Sequence, residues 1–371
     1  MYQAGRSILA ELEGQRPHVA PFRLSRGVKD RLIQRGFHGL YRWYVGRSQA
    51  RRNWDPDRGF AWRALRRDHS PELMSIVEGF YAVEQYTPDY TSKLVNLVRR
   101  SFGRSQFQVL WGAEEAKHGD LWRNVLLFSE ARRPDWIEQY TSDLRDNAWS
   151  LPWDDPLHML LYTVIQERAT QLNYMNTTLI AEGRSTKPWL ANDADPVLAR
   201  AARTIAIDEA AHYGFFLEGA RLYLYYDPEA TLQALVDVLR HFTMPASDIV
   251  PNYDDFIRAL YEADVFGRRK YVRDVVQVAL DNLGVTTIRA LEAGIRQSRR
   301  VPDPDGRERE TALANGVRFT IIESAVMRLF ARIGRYEDEI GLSEIDPTRF
   351  VPNDWAPAVD RQPLTPLVEA R

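Results

Sequence analysis

Two stretches of this chain repeat one pattern, Glu114-Glu115-Ala116-Lys117-His118-Gly119 and Asp208-Glu209-Ala210-Ala211-His212-Tyr213-Gly214. Each sets two adjacent acids ahead of a histidine, and each is preceded by a lone glutamate in an apolar run: Glu84 within Phe80–Tyr86 and Glu167 within Val164–Thr170. The intervals, 31 residues from Glu84 to Glu115 and 42 from Glu167 to Glu209, read as a duplicated pair of helices. On a helix, residues three apart lie about 60° apart around the axis and about 4.5 Å along it. Glu115 therefore shares a face with His118, and Glu209 with His212. Lone carboxylates in apolar helices are too costly to bury without compensating positive charge, so the pattern demands a bundle that brings them together around cations.

The rest of the chain fits such a bundle. Apolar residues recur at three- and four-residue steps over Leu73–Val98, Gln106–Phe128, Pro156–Glu182 and Pro196–Tyr226, each long enough to cross a domain. Turn chemistry separates them at Ser101–Arg104, Arg132–Asp135, Ser150–Pro156 and Gly183–Pro196. Further on, Tyr253–Asn282 reads as a helix of mixed polarity, Arg296–Arg307 as a basic, Pro-containing break, Thr311–Ile333 as an apolar helix, and the tail from Ser343 as irregular. The expected fold is all-α: a ferritin-like four-helix bundle with additional flanking helices. We divide it into a basic N-terminal segment packing on the bundle (1–70), the helical core (71–290) and a C-terminal helix with a Pro-rich tail (291–371).

Two Glu-x-x-His motifs, each on its own helix, together with one further Glu from each of two others, form the carboxylate di-iron pattern of four-helix bundles. The set is Glu84, Glu115, His118, Glu167, Glu209 and His212. Four carboxylates balance two ferrous ions, and oxygen ligands with one imidazole per metal favour iron or manganese over copper or structural zinc. Glu114 and Asp208 stand four residues ahead of the same histidines, so the choice of acid within each pair stays open. His18, His38, His69, His158 and His241 lack this setting and read as surface or capping residues.

Composition narrows the rest. The chain has no cysteine, which excludes disulfides, thiolate nucleophiles and a cluster of its own. Its longest uncharged run, the 13 residues Ala169–Ala181, is well short of the roughly 20 that a spanning helix needs. The N-terminus has no apolar export core, so the cytoplasm is the expected location, or the plastid stroma in a plant. Residues 1–67 carry 15 basic side chains against five acids, a flank that is solvated or receives an acidic partner.

The run Trp111–Leu121 resembles the signature of the soluble acyl-acyl carrier protein (ACP) desaturases, ferritin-like di-iron enzymes that place a cis double bond in an acyl chain carried on ACP. Gln166–Thr170, Thr204–His212, Met244-Pro245-Ala246 and Trp54-Asp55-Pro56 are similar to the same family. The resemblance implies that Glu84 and Glu167 each hold one iron, that Glu115 and Glu209 bridge, and that His118 and His212 complete the two metal spheres. It implies that Asp208 bonds His118 and links towards Trp54 as an electron route, and that Thr170 aims its hydroxyl at the oxygen site. It also implies dioxygen as oxidant, two electrons from a ferredoxin-type donor, acyl-ACP as substrate, and a homodimer.

The stretch from Glu84 to Glu115 is shorter than in the plant enzymes, the Gly183–Pro196 turn is longer, and the helices after Ala246 match poorly, which leaves acyl length and double-bond position open. Candidate docking residues are the Arg-rich N-terminal segment with Arg99, Arg100 and Arg104. Candidate channel residues are Tyr81, Tyr86, Phe107, Leu160 and Phe215. Three other readings share the motif: a di-iron oxygenase or hydroxylase on the same scaffold, an iron-storage ferritin relative, and a radical-generating subunit of ribonucleotide reductase, whose required tyrosine Tyr81, Tyr86 or Tyr162 would supply.

Overall fold

The computed structural model describes residues 26–285, 299–302, 308–311 and 317–345; the first 25 residues with His18, and the tail beyond Ile345, lie outside them. The chain begins with α1 (Arg26–Trp43), whose turns widen over Tyr44–Gln49 before a last short piece, Ala50–Arg52. Helix α2 (Pro71–Glu84) follows, then α3 (Thr87–Leu97), α4 (Arg104–Phe128), α5 (Pro134–Arg145), α6 (Pro156–Ala181), α7 (Pro196–Tyr226), α8 (Pro228–Arg240) and α9 (Tyr253–Glu262). Helix α10 runs through Arg268–Lys270, a wide-turned Tyr271–Val276 and Gln277–Asn282. A two-stranded antiparallel ribbon, β1 (Arg299–Pro302) and β2 (Glu308–Thr311), precedes α11 (Phe319–Glu339) and the single turn α12 (Leu342–Ile345).

The bundle is made of α2, α4, α6 and α7. Three of the four start with a side-chain cap followed by proline: Ser70 accepts from Leu73 N, Asp155 from Leu157 and His158 N, and Asp195 from Val197 and Leu198 N. Each cap satisfies donors that the first turn leaves orphaned and contributes roughly 1 kcal/mol. Helix α4 instead begins at Gly103, whose φ of 81° is open to glycine at little cost, with its N–H held by Gln106 Oε1 at 2.9 Å.

A polar layer divides the core in two. On α4 one apolar cluster ends at Trp111 and the other begins at Leu121; on α7 the division falls between Ala206 and Tyr213. One side packs Phe37, Phe107, Phe215 and Phe216, and the other packs Phe80, Trp122, Tyr174 and Ile205. Truncating a fully buried anchor such as Trp122 to alanine costs about 3–5 kcal/mol. Helix α1 lies across α7 and α4, with Phe37 against Phe215 and Tyr44 against Phe107.

The bundle agrees with the sequence reading, and four details correct it. Leu73–Val98 is two helices rather than one, broken at Gln85-Tyr86, because Pro88 cannot donate to the preceding turn and Thr87 Oγ1 turns back to Glu84 O at 2.7 Å. Tyr253–Asn282 breaks at Ala263–Gly267, where Asp264 adopts a φ of 55°. The break at Arg296–Arg307 contains the ribbon's first strand, and the helix expected from Thr311 starts at Phe319. No helix among the described residues is long and apolar enough to cross a membrane.

Candidate metal centre

The six sequence-predicted side chains meet in the polar layer between the two apolar clusters. Glu84 ends α2, Glu115 and His118 project from α4, Glu167 from α6, and Glu209 and His212 from α7. Their ligand atoms form two overlapping groups, each within 4.8 Å throughout: Glu84, Glu115, His118 and Glu209, and then Glu115, Glu167, Glu209 and His212. All six are buried at 5 % exposure or less. Glu115 and Glu209 belong to both groups, so two cations placed there would share them. Glu114 and Asp208 lie outside both groups, which separates the members of each acidic pair.

The inward nitrogens are the Nδ1 atoms. His118 Nδ1 is 3.1 Å from Glu115 Oε2 and 3.5 Å from Glu209 Oε1, and His212 Nδ1 is 2.9 Å from Glu115 Oε1 and 3.5 Å from Glu167 Oε2. The outward Nε2 atoms face acids of their own: His118 Nε2 lies 3.4 Å from Asp208 Oδ2 and His212 Nε2 lies 3.0 Å from Glu114 Oε2. With a cation in the centre, each Nδ1 would give it the lone pair while each Nε2–H rests on its outer acid. Glu115 Oε1, Glu167 Oε2 and His212 Nδ1 are buried without a hydrogen bond, the condition that a bound cation relieves. Buried, convergent oxygen donors with one imidazole on each side therefore fit two hard or borderline divalent ions.

Protonation follows the same geometry. Burial, reinforced by Glu115, pushes the Glu84 carboxyl up to about 8, and burial with Glu209 raises Glu167 well above the carboxylate range. Burial also acts to raise Glu209, but the neighbouring imidazoles of His118 and His212 outweigh it and hold this acid low. Burial opposes charging of both imidazoles, yet Glu115 and Asp208 raise His118, and Tyr44, Glu115 and Glu114 raise His212. Without metal, protons supply the positive charge that the four carboxylates require, and metal binding displaces them.

Trp54 and Thr170 both contact acids of this layer. Trp54 Nε1 donates to Asp208 Oδ2 at 2.7 Å, its ring is parallel to that of His118, and the half-buried indole carries Lys117 over its face. Hydrogen bonding brings Asp208 down to about 2 against the opposing effect of burial, with His118 the strongest contributor. Thr170 Oγ1 is 2.9 Å from Glu209 Oε2 and also within reach of Gln166 O and Glu167 O, so its one hydrogen has three acceptors.

Other expectations fail. Arg104 is buried, donating to Pro156 O over the Phe37 ring, and is no docking residue; Arg99 and Arg100 are exposed. His69 is buried against Asp195 at 3.2 Å rather than on the surface. The five channel residues are closely packed, Phe107 stacking on Phe215 with centroids 3.4 Å apart. Tyr81, Tyr86 and Tyr162 bond Thr141, Ile249 O and Thr243 O, away from the acids. Two other tyrosines reach the centre instead: Tyr174 donates to Glu84 Oε1 at 2.5 Å and Tyr44 to Glu114 Oε2 at 2.7 Å. Arg52, on the same turn of chain as Trp54, bonds Asp208, Glu114 and Tyr44. Spacing from Glu167 places Tyr174 two turns further along the same helix; nothing in the local pattern marks Tyr44 or Arg52.

A duplicated Glu-x-x-His pair with one extra glutamate on each side, enclosed by four helices, defines a carboxylate-rich metal centre of the ferritin-like kind. A model of the family described as fatty acid desaturase matches residues 71–301, more than half of the chain, and this protein belongs to that family. Among curated relatives, stearoyl-[acyl-carrier-protein] 9-desaturase 6, chloroplastic, of Arabidopsis thaliana is 30% identical over 184 residues, 47% of this chain and 45% of the relative. Stearoyl-[acyl-carrier-protein] 9-desaturase 1, chloroplastic, of Oryza sativa subsp. japonica is 27% identical over 250 residues, 62% of this chain and 61% of the relative. The aligned stretches thus span between 45% and 61% of these two relatives' length. Among solved structures, a putative acyl-ACP desaturase, DesA2 from Mycobacterium tuberculosis, is 19% identical, with a TM-score of 0.45, covering 69% of this chain and 94% of that one.

Proposed function

We propose that this chain is a dioxygen-dependent acyl-ACP desaturase, an oxidoreductase that introduces a cis double bond into a carrier-bound fatty acyl chain. The observation that carries the reading is the pair of overlapping clusters that share Glu115 and Glu209. In this reading Glu84, Glu115, His118 and Glu209 hold one iron, and Glu115, Glu167, Glu209 and His212 hold the second. When bound, two ferrous ions supply the oxygen activation that attack on an unactivated methylene requires and that no side chain provides. Asp208 and Glu114 keep the imidazoles in the tautomer that leaves Nδ1 free. Thr170 holds a proton beside Glu209, ready for transfer toward the centre.

The electrons come from outside, since the chain has no cysteine for a cluster. Trp54, half-buried and joined through Asp208 to His118, is the entry point for a ferredoxin-type donor. The carrier docks elsewhere in this proposal. A cleft of about 1340 Å³ beside α9 and α10 presents Lys187, Arg258, Arg268, Arg269 and Lys270 against the three acids Asp254, Glu262 and Asp264, together with the exposed Trp189 and Tyr261. An excess of cations beside apolar surface suits an acidic carrier bearing an acyl chain. A homodimer, as in the resembling family, belongs to the same proposal.

The test is an aerobic incubation of iron-loaded protein with ferredoxin, its reductase, NADPH and a panel of acyl-ACPs, read by mass spectrometry of the released chains. Loss of the mass of two hydrogens, absent in Glu115→Ala and Glu209→Ala, establishes the desaturase. Gain of one oxygen mass moves the protein to the oxygenase reading, and no change despite two bound irons rejects the carrier-bound substrate.

A further inference from the structure

We propose that Arg52 is a positioning residue that locks both histidines of the centre at once. Its guanidinium lies between the two outer acids: Nη1 donates to Asp208 Oδ1, while Nη2 donates to the Tyr44 hydroxyl and lies 3.4 Å from Glu114 Oε1. Tyr44 passes its own hydrogen to Glu114 Oε2 at 2.7 Å, so Glu114 is held from two sides. Asp208 in turn receives Trp54 and faces His118, and Glu114 faces His212. One side chain therefore completes two parallel chains, Arg52–Asp208–His118 and Arg52–Glu114–His212.

The charge balance calls for it. Four glutamates neutralise two divalent ions, which leaves Asp208 and Glu114 as two further negative groups, 1 % and 3 % exposed. Buried acids without a counter-charge are costly, and Arg52, whose side chain is 11 % exposed, stands between them. A planar fork serves this place better than a point charge, because its separate N–H groups reach two acids in one geometry. The fork is itself held: Nε reaches Ser48 Oγ at 3.3 Å and the guanidinium lies 5.2 Å from the Tyr44 ring centroid. The wide turn over Tyr44–Gln49 rotates the end of α1 relative to a regular helix, and both Tyr44 and Arg52 project from this stretch.

The inference rests on the two-metal reading of the ligand cluster and assigns Arg52 no contact with substrate or metal. Its consequence is a pattern of metal affinities. Asp208→Asn weakens the ion beside His118 and Glu114→Gln the ion beside His212, each by ~10–100-fold, whereas Arg52→Met weakens both by ~10-fold or more. Arg52→Lys keeps a cation but reaches one acid, so it restores one ion and leaves the other weak.

The experiment is an anaerobic titration of metal-free full-length protein with Co²⁺, followed by visible absorption and equilibrium dialysis well below the melting temperature. Glu84→Ala and Glu167→Ala backgrounds isolate one ion each. In the Co²⁺-loaded protein, the two paramagnetically shifted Nε2–H resonances report the same locking by their exchange with water, which should accelerate for both in Arg52→Met. Loss at both ions, with rescue of one by Arg52→Lys, is the expected result. Loss at one ion only, or affinities within about twofold of wild type, overturns the clamp. Should Arg52→Met fail to fold, Arg52→Lys alone decides, since two ions of unchanged affinity also overturn it. Wild-type protein that takes up fewer than two ions would instead refute the underlying two-metal reading.

Discussion

The two halves of the centre are alike inside and different outside. In both, a Glu-x-x-His helix turns an Nδ1 inward and rests its Nε2 on an acid contributed by the opposite helix, Asp208 for His118 and Glu114 for His212. Beyond those acids the symmetry ends. Asp208 continues to the half-buried indole of Trp54, while Glu114 continues to Tyr44, a phenol 1 % exposed whose ionisation burial strongly opposes. The lone glutamates differ too: Glu84 closes a helix and accepts from Tyr174, whereas Glu167 sits mid-helix with one oxygen lacking a hydrogen-bond partner. Duplication supplies the metal-holding geometry, and the departures from it distinguish a side that reaches a half-buried indole from one that ends on a buried phenol.

The hardest test removes what both halves share. Glu115→Ala or Glu209→Ala should abolish binding of the ion pair and lower desaturation by ~10³-fold or more, measured by iron analysis and product mass spectrometry. Comparing the outer arms comes next. Trp54→Phe should slow reduction of the iron-loaded protein by reduced ferredoxin ~10-fold in stopped flow, and Tyr44→Phe should change it less than about twofold. Equal slowing by both would erase the proposed distinction between the arms. The cleft proposed for the carrier should respond differently from either arm: reversing Arg268 and Arg269 to glutamate should raise KM for acyl-ACP ~10-fold at low salt, with the effect fading as salt rises and kcat kept.

The pH response sharpens the comparison further. Glu84 in the folded, metal-free protein has its pKa raised from 4.5 to about 8, so the folded state holds a proton that the unfolded chain gives up. That contribution is fully present below about pH 4.5 and is lost as pH rises through about 8. Glu167 and the two histidines act in the same sense, while Asp208, lowered to about 2, loses its contribution only as pH falls toward that value. Melting temperature of the metal-free protein should therefore decline from about pH 5 to about pH 8, while Co²⁺ affinity rises over the same range; a flat profile would remove the proton-for-metal exchange. The smallest effect is at Thr170→Val, expected to lower kcat by ~2–10-fold with both ions retained.

The sequence made the centre legible because metal ligation imposes residue type and spacing together. Glu115 and His118, Glu209 and His212 share helix faces wherever their helices pack, and two copies reinforce each other. The acidic neighbours were visible as well, but which acid turned inward depended on packing. Arg52 was hidden by its surroundings, one more cation in a basic flank where several described members, such as Arg51, Arg58, Arg63 and Arg67, are exposed. Tyr44 was hidden because its inward direction comes from a wide helical turn that leaves no residue signature. The break at Gln85 was readable in Pro88, yet proline is also acceptable in a first turn, and only the structure shows that a new helix starts there. The packed aromatic core around Phe107 and Phe215 shows the opposite limit, since core and channel residues draw on the same side chains.

That break has a kinetic meaning. Glu84 is the last residue of α2, bordering a cleft of about 440 Å³ lined by Gln85, Pro88 and Thr91, whereas Glu167 is anchored by helix on both sides. Backbone at a helix end opens more readily than backbone within one. The two ions of a filled centre should then exchange with different lifetimes, the one held by Glu84 leaving and arriving first, so that chelation proceeds in two phases and passes through a protein carrying a single ion beside His212.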